Sequence, residues 1–275
     1  MCAALAMYGL LATAWTGPAR AQEPDAATRL DPLERHYELG SGWALGQSGF
    51  TLGGYGEAIY ADPRGRNWEA GINALSAVLW WEGNNRWRLF SEVELERPLI
   101  TGQDEDLNDD QELILERLHV DYLQSDALKL RLGKFLTPVG RWNIIHAPPL
   151  TWTTSRPLIT EATFPTNATG AMLYGVLPWT DAGLEYSLYA SPGEEIAPED
   201  ELDTFSEAYG GRLATTLLPH TQFGLSYVSF EQSSSDQHKQ LLSADFLWSW
   251  RRFEGSGEYV MRSLEGREDH PEEYG

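Results

Sequence analysis

Polar and apolar residues alternate along most of this chain, in segments of 10 to 14 residues that begin near residue 50. A period of two is typical of β-strands whose two faces meet different surroundings. Strands of globular proteins average about 5–6 residues, whereas a tilted strand needs about 9–11 to cross a bilayer. The segment length therefore predicts an all-β fold, a transmembrane antiparallel up-and-down β-barrel. Its eleven strands are expected near residues 50–61, 71–82, 86–97, 112–123, 127–137, 167–178, 182–191, 204–217, 221–231, 238–250 and 253–265.

Charged side chains share one face of the third, fourth and fifth segments. Burying several unpaired charges in a dry core is very costly, but a water-filled lumen accommodates them. Strict alternation leaves Glu116 on the apolar face of the fourth segment. Opposed basic and acidic walls would create a transverse field for polar solutes, while the alternative is a set of ion pairs that fills a polar interior. The predicted pore-lining residues are Arg88, Glu92, Glu94, Arg117, His119, Asp121, Lys129 and Arg131.

The connections between segments alternate in length. Long connections are predicted at 62–70, 98–111, 138–166, 191–203 and 231–237, and short ones at 83–85, 124–126, 179–181, 218–220 and 251–252. Outer-membrane barrels have short periplasmic turns and longer outside loops. Aromatic rings favour the headgroup level of a bilayer. A periplasmic girdle is expected from the aromatic residues at the short-turn ends, namely Trp80, Trp81, Trp87, Tyr122, Trp179, Trp248, Trp250 and Phe253.

The N-terminus has the pattern of an export signal. An apolar run from Cys2 to Thr16 precedes Ala19-Arg20-Ala21, a small-x-small cleavage site, so residues 1–21 are predicted to be a signal peptide. Residues 22–49 are expected to form a periplasmic leader that runs into a barrel over 50–275. Single-chain bacterial barrels have an even strand number and must close. Eleven strands therefore predict that closing C-terminal strands are missing from a barrel of about 14–18 strands.

The charge balance narrows the function. The chain has 41 acidic and 20 basic residues and a formal net charge of −21, which excludes nucleic acid as a partner. None of the six His residues lies in a G-x-S-x-G, H-E-x-x-H or metal-ligand spacing. We therefore expect no enzyme activity, no metal and no cofactor.

Residues 130–143, Leu-Arg-Leu-Gly-Lys-Phe-Leu-Thr-Pro-Val-Gly-Arg-Trp-Asn, resemble a recurring element of the phosphate-selective porin O and P-like family. There, a strand of the form L-x-L-G-K/R-F precedes a Pro-aliphatic/aromatic-Gly turn into a long loop, and residues 115–122 resemble the preceding strand. The close resemblance covers about 35 residues. It implies a porin of the bacterial outer membrane that lets small hydrophilic solutes or ions diffuse passively, with outer-membrane lipid around it. A homotrimer is expected by analogy.

Phosphate-selective members line their pore with many Lys and Arg residues, whereas this chain has three Lys. A general or carbohydrate-type porin therefore remains open. Two other classes also stay open: a soluble periplasmic or secreted β-protein that binds carbohydrate through Trp and Tyr, and an outer-membrane barrel enzyme.

The longest predicted loop, 138–166, is locally basic and rich in aromatic and proline residues. One hypothesis is that it folds into the barrel and narrows the pore, and the other is that it packs over the barrel mouth. The candidate constriction residues are Arg141, Trp142, His146, Trp152 and Arg156.

Overall fold

The structure is a computed structural model of the chain. The residues that it describes are 42–62, 67–83, 86–102, 111–145, 147, 150–151, 163–179, 182–193, 195–197, 204–233, 235–264 and 272–274. The predicted signal peptide and most of the predicted leader lie outside these residues. Among the described residues, no helix is long and apolar enough to cross a membrane.

The described residues form one sheet of thirteen strands, in which each strand pairs with its neighbours in the sequence. Every one of these pairings is antiparallel. Among the described residues, the first and last strands are not paired with each other. The strands are β1 (Trp43–Ala44), β2 (Phe50–Ala61), β3 (Glu69–Glu82), β4 (Trp87–Gly102), β5 (Glu112–Ser125), β6 (Leu128–Leu136), β7 (Asn167–Leu177), β8 (Leu184–Ser191), β9 (Phe205–Leu218), β10 (Thr221–Gln232), β11 (Ser235–Trp250), β12 (Phe253–Leu264) and β13 (Glu272–Tyr274).

The all-β, up-and-down architecture predicted from the alternation is confirmed, and the eleven predicted segments correspond to β2–β12. One predicted connection is wrong. Residues 231–237 are polar and were expected to form a long loop, but β10 ends at Gln232 and β11 begins at Ser235. Hydrogen bonding between the two backbones extends the hairpin through this polar run, because side-chain polarity does not prevent strand pairing.

The two faces of the sheet differ in chemistry and in exposure. We call the face that carries Glu92, Asp121 and Asp245 the inner face, and the opposite one the outer face. On β10, Leu225 on the outer face is 58% exposed, whereas Val228 on the inner face is 0% exposed. The same contrast recurs around the sheet, with exposed apolar side chains on the outer face at Leu75, Leu132, Leu188, Leu213 and Leu242.

A β-bulge removes the apparent anomaly at Glu116. Glu92 pairs with Arg117, but the next residue, Val93, pairs with Leu115, so Glu116 is an extra residue in β5. A bulge interrupts strict alternation at this point. Glu116 is consequently buried, with 7% exposure, and its Oε2 accepts a hydrogen bond of 3.4 Å from Asn167 Nδ2.

Aromatic side chains gather at the short-turn end of the sheet. The rings of Trp87 and Tyr122 lie 4.9 Å apart, and Trp250 pairs with Phe253 across the last short turn. Trp80 does not belong to the predicted girdle. It pairs with Phe90, and two residues earlier on the same strand Val78 pairs with Glu92 of the inner face. Because residues two apart on a strand share a face, Trp80 lies on the inner face.

Candidate functional site

Charged residues of neighbouring strands meet on the inner face of β4 and β5. The Arg117 guanidinium contacts the Glu92 carboxylate through Nε at 2.6 Å and Nη2 at 2.5 Å. Tyr55 on β2 donates a hydrogen bond of 2.8 Å to Glu92 Oε1, reaching across β3. Arg117 also lies 4.8 Å from the centroid of the Phe90 ring. Glu92 is fully buried, and the Arg117 guanidinium compensates its charge within the sheet wall.

A second group continues this arrangement across β5, β6 and β7. Arg131 donates two hydrogen bonds to Asp121, of 2.7 and 2.8 Å, and Tyr174 donates a third of 2.9 Å. The His119 ring stacks on Phe90 and its Nδ1 lies 3.3 Å from Asp121 Oδ1. Lys129 lies 5.6 Å from the centroid of the Tyr174 ring. We call the set of Glu92, Arg117, His119, Asp121 and Arg131 the β4–β6 cluster.

The structure thus brings the predicted pore-lining residues together on one face. Members of the β4–β6 cluster and Lys129 are at most 7% exposed, so they pair within the wall and present little surface to a lumen. Arg88 and Glu94 are more open. Arg88 Nε contacts Glu82 Oε1 at 2.9 Å, and Glu94 accepts a hydrogen bond from Ser76.

A further charged group on β9–β12 was missed by the sequence analysis. Arg212 on β9 forms two hydrogen bonds to Asp245 on β11, bridging over β10. Gly224 lies beneath this bridge, because a Cβ there would stand 2.2 Å from Arg212 Nη2. We call Arg212, Asp245 and Glu258 the β9–β12 cluster. Glu258 on β12 pairs directly with Asp245 in the register.

Two described parts of the connection between β6 and β7, residues 137–145 and 163–166, lie against the inner face. We call these two parts the inner loop, with 137–145 as its outgoing arm and 163–166 as its returning arm. Glu258 Oε2 accepts hydrogen bonds from the backbone N–H groups of Arg141 at 3.0 Å and Trp142 at 3.3 Å. The N–H of Gly140 donates to Ser226 Oγ at 3.2 Å, and Arg262 donates to the carbonyl oxygen of Thr163 at 2.9 Å. The loop therefore reaches from β6 and β7 to β10 and β12.

Apolar packing seals the inner loop to the wall beneath it. Val139 is fully buried in a cluster that includes Phe164 of the loop and inner-face residues of seven strands. The Phe135 and Tyr189 rings meet edge to face with centroids 6.2 Å apart. The strand members of this cluster are Phe135, Ala168, Met172, Tyr174, Tyr189, Phe205, Ala208, Val228, Phe230, Leu241 and Val260.

Two of the candidate constriction residues are described. Arg141 and Trp142 are half-buried beside Glu258, and Arg141 Nε is buried without a hydrogen-bond partner among the described residues. Burial lowers the pKa of the Arg141 guanidinium from its ordinary value, since removing a charge from water disfavours the charged form. His146, Trp152 and Arg156 lie outside the described residues.

Carboxylates line the inner face of β2–β4 nearer the long loops. Glu57, Glu94 and Glu96 are half-buried, in contrast to the fully buried apolar side chains under the inner loop. Asn73 Nδ2 donates a hydrogen bond of 3.1 Å to Glu57 Oε2. We call these three residues the acidic wall.

A Ser-His-Glu array occurs on the outer face of β10 and β11. Ser229 Oγ lies 2.8 Å from His238 Nε2, and His238 Nδ1 lies 3.6 Å from Glu231 Oε1. Such residue types support acyl transfer when the serine can reach a carbonyl carbon. Ser229 is 1% exposed, so its oxygen is closed to substrate. Among the described residues, no group of three or more His, Cys, Asp or Glu residues is placed to hold a metal ion.

Comparison with solved structures bears on the fold. An anion-selective porin from Comamonas acidovorans superimposes with a TM-score of 0.53 and 14% sequence identity, over 82% of this chain and 70% of that one. This chain therefore shares the fold of a porin. A loop-deletion mutant of OmpT, an outer membrane protein of Vibrio cholerae, matches with a TM-score of 0.35 and 10% identity, over 79% of this chain and 83% of that one. That score is too low to bear on the fold.

Comparison of sequences gives less information about this chain than comparison of structures. No family model matches the chain. An uncharacterized protein of Aquifex aeolicus is 30% identical over 133 residues, which are 47% of this chain and 30% of that protein. The match thus spans less than a third of that relative's length.

Proposed function

We propose that this chain is a porin-like channel of the bacterial outer membrane, through which small hydrophilic solutes or ions diffuse passively. The observation that carries the proposal is the chemical difference between the two faces of the sheet, one apolar and exposed and the other charged. Apolar side chains exposed over a whole face are costly in water and are solvated by hydrocarbon. Charged groups of the inner face need water or partners. Outer-membrane lipid would surround the outer face, and solutes would pass along the inner one.

In this proposal the inner loop narrows the channel. Its docking against β10 and β12 supports a constriction more than a lid over the barrel mouth. Arg141 and Trp142 would border the narrow region, with His146, Trp152 and Arg156 as further candidates. Arg88 and Glu94 would face solute, while the β4–β6 cluster would stiffen the wall behind them.

We propose a general pore rather than one dedicated to phosphate, since the chain contains three Lys residues. A homotrimer is proposed by analogy with other porins. Chemical crosslinking in detergent tests the trimer: a ladder that stops at three subunits is expected, and a species that stays at one subunit would contradict it.

Liposome swelling tests the passive diffusion of solutes. Full-length protein reconstituted into liposomes should let small sugars enter, at rates that fall as the sugar becomes larger. Heat-denatured protein reconstituted in parallel is the control for leaky membranes. Swelling no faster than in the control, from protein that migrates as folded on an unboiled gel, would contradict the proposal.

The alternative classes make different predictions. A soluble carbohydrate-binding β-protein would remain in the aqueous fraction on detergent extraction, whereas the exposed apolar outer face predicts the detergent fraction. An outer-membrane serine hydrolase would be expected to use the array around Ser229. We propose that it has no catalytic role, so a fluorophosphonate probe should not label the protein, and labelling that Ser229→Ala abolishes would favour the enzyme.

A further inference from the structure

Glu258 is placed where the inner loop turns against the wall. One carboxylate oxygen, Oε2, accepts two consecutive backbone N–H groups, from Arg141 and Trp142. Consecutive N–H groups that converge on one acceptor form a concave anion-binding arrangement of the backbone. Here the anion is a side chain of β12, so the wall itself holds the loop.

Gly140 makes this contact close. Its φ is +63°, a left-handed conformation that favours glycine, and a Cβ there would stand 1.8 Å from Glu258 Oε1. The Gly140 N–H also donates to Ser226 Oγ on β10. Three successive N–H groups of the loop are therefore taken up by two strands, and any side chain at position 140 would push the carboxylate away.

We propose that Glu258 is a positioning residue that keeps the inner loop docked and thereby sets the width of the channel. The inference rests on the proposed function. A second anchor, from Arg262 to the carbonyl oxygen of Thr163, holds the returning arm of the loop to the same strand. Without Glu258 the outgoing arm at residues 140–142 loses its charged acceptor while this second anchor remains, so that arm undocks and returns.

Single-channel recording of folded, full-length variants tests this role. A hydrogen bond to a charged acceptor contributes a factor of about ten or more in population. In Glu258→Leu the ratio of time in a high-conductance state to time at the wild-type level should rise by about tenfold or more. Glu258→Gln keeps a neutral acceptor oxygen at the same place and should raise the ratio less than Glu258→Leu, because a neutral acceptor retains part of the hydrogen-bond strength.

Glu254 supplies the matched control. It is an exposed carboxylate on the same strand that attracts the Arg141 guanidinium electrostatically, but no described hydrogen bond joins it to the inner loop. Glu254→Leu removes a charge near Arg141 without removing a hydrogen bond to the loop, so the ratio should rise much less than in Glu258→Leu. Gly140→Ala lies in the loop and not in a strand, so it tests the contact even if Glu258→Leu fails to fold, and it should raise the ratio as well.

The outcomes separate this inference from the proposed function. Absence of conductance from the folded wild-type protein would overturn the proposed function. Conductance that is present in the wild type and unchanged in both Gly140→Ala and folded Glu258→Leu would overturn the role of Glu258. An equal rise in Glu254→Leu and Glu258→Leu would overturn it too, because charge alone would then explain the effect.

Discussion

The β4–β6 cluster and the β9–β12 cluster both combine arginine with carboxylates on the inner face, but among the contacts between described residues given above only those of the second reach the inner loop. In the first, Asp121 receives hydrogen bonds from Arg131 and Tyr174, all within strands. In the second, Glu258 receives its hydrogen bonds from the loop backbone. The same side-chain types thus complete the wall in one place and position a separate segment in the other. Partner identity distinguishes them, not residue composition.

The largest expected effect comes from breaking the β4–β6 cluster. Asp121→Leu leaves the buried Arg131 charge without its carboxylate, and losing one partner of a buried pair costs about 3–5 kcal/mol. Unfolding in urea, followed by gel mobility of unboiled samples, should show a loss of this size in the free energy of unfolding. The double variant Asp121→Leu/Arg131→Met should recover most of it, because no isolated charge remains. A loss in the single variant no greater than in the double would contradict the pairing.

Reversing a charge on the inner loop should change the ion selectivity of the channel more than the free energy of unfolding. Arg141→Glu should shift the reversal potential in a salt gradient towards cation preference. The permeability ratio should change about fivefold, which corresponds to about 1 kcal/mol for two charges at close range in a wet environment. An unchanged reversal potential would remove Arg141 from the constriction.

Neutralising carboxylates of the acidic wall should shift the permeability ratio by a smaller amount, and towards anions. Glu94→Gln/Glu96→Gln removes two half-exposed carboxylates, whose effect on passing ions is screened by water and salt. The permeability ratio should move towards anions by about twofold. Measurement at low and at high salt sharpens the comparison, since the shift should shrink as salt rises. An unchanged permeability ratio at low salt would show that these carboxylates do not face the conducting path.

Local pattern was sufficient to predict the strands and the charged faces. Alternation depends only on the residue and its neighbours, so it located β2–β12 and placed Arg117, His119 and Asp121 on one face. It failed where backbone pairing overrides side-chain chemistry. The bulge at Glu116 and the continuation of β10 and β11 through a polar run are both decided by hydrogen bonding between strands.

Contacts between distant parts of the chain could not be predicted in this way. The inner loop was recognised as a constriction candidate from its composition, but its anchor at Glu258 lies 117 residues from Arg141. The bridge from Arg212 to Asp245 crosses an intervening strand and needs Gly224 beneath it. Lys134, which is fully buried and forms an ion pair of 2.9 Å with Glu195, depends in the same way on a loop folding back. Pairwise spacing carries no signal for such contacts.

Conductance of the full-length, folded protein in a planar lipid bilayer tests the central claim most directly. A water-filled channel lined by the inner face predicts discrete current steps that grow in proportion to salt concentration and are absent when heat-denatured protein is added. Folded protein that inserts into the bilayer and yields no current steps would contradict the claim that this barrel forms an open pore.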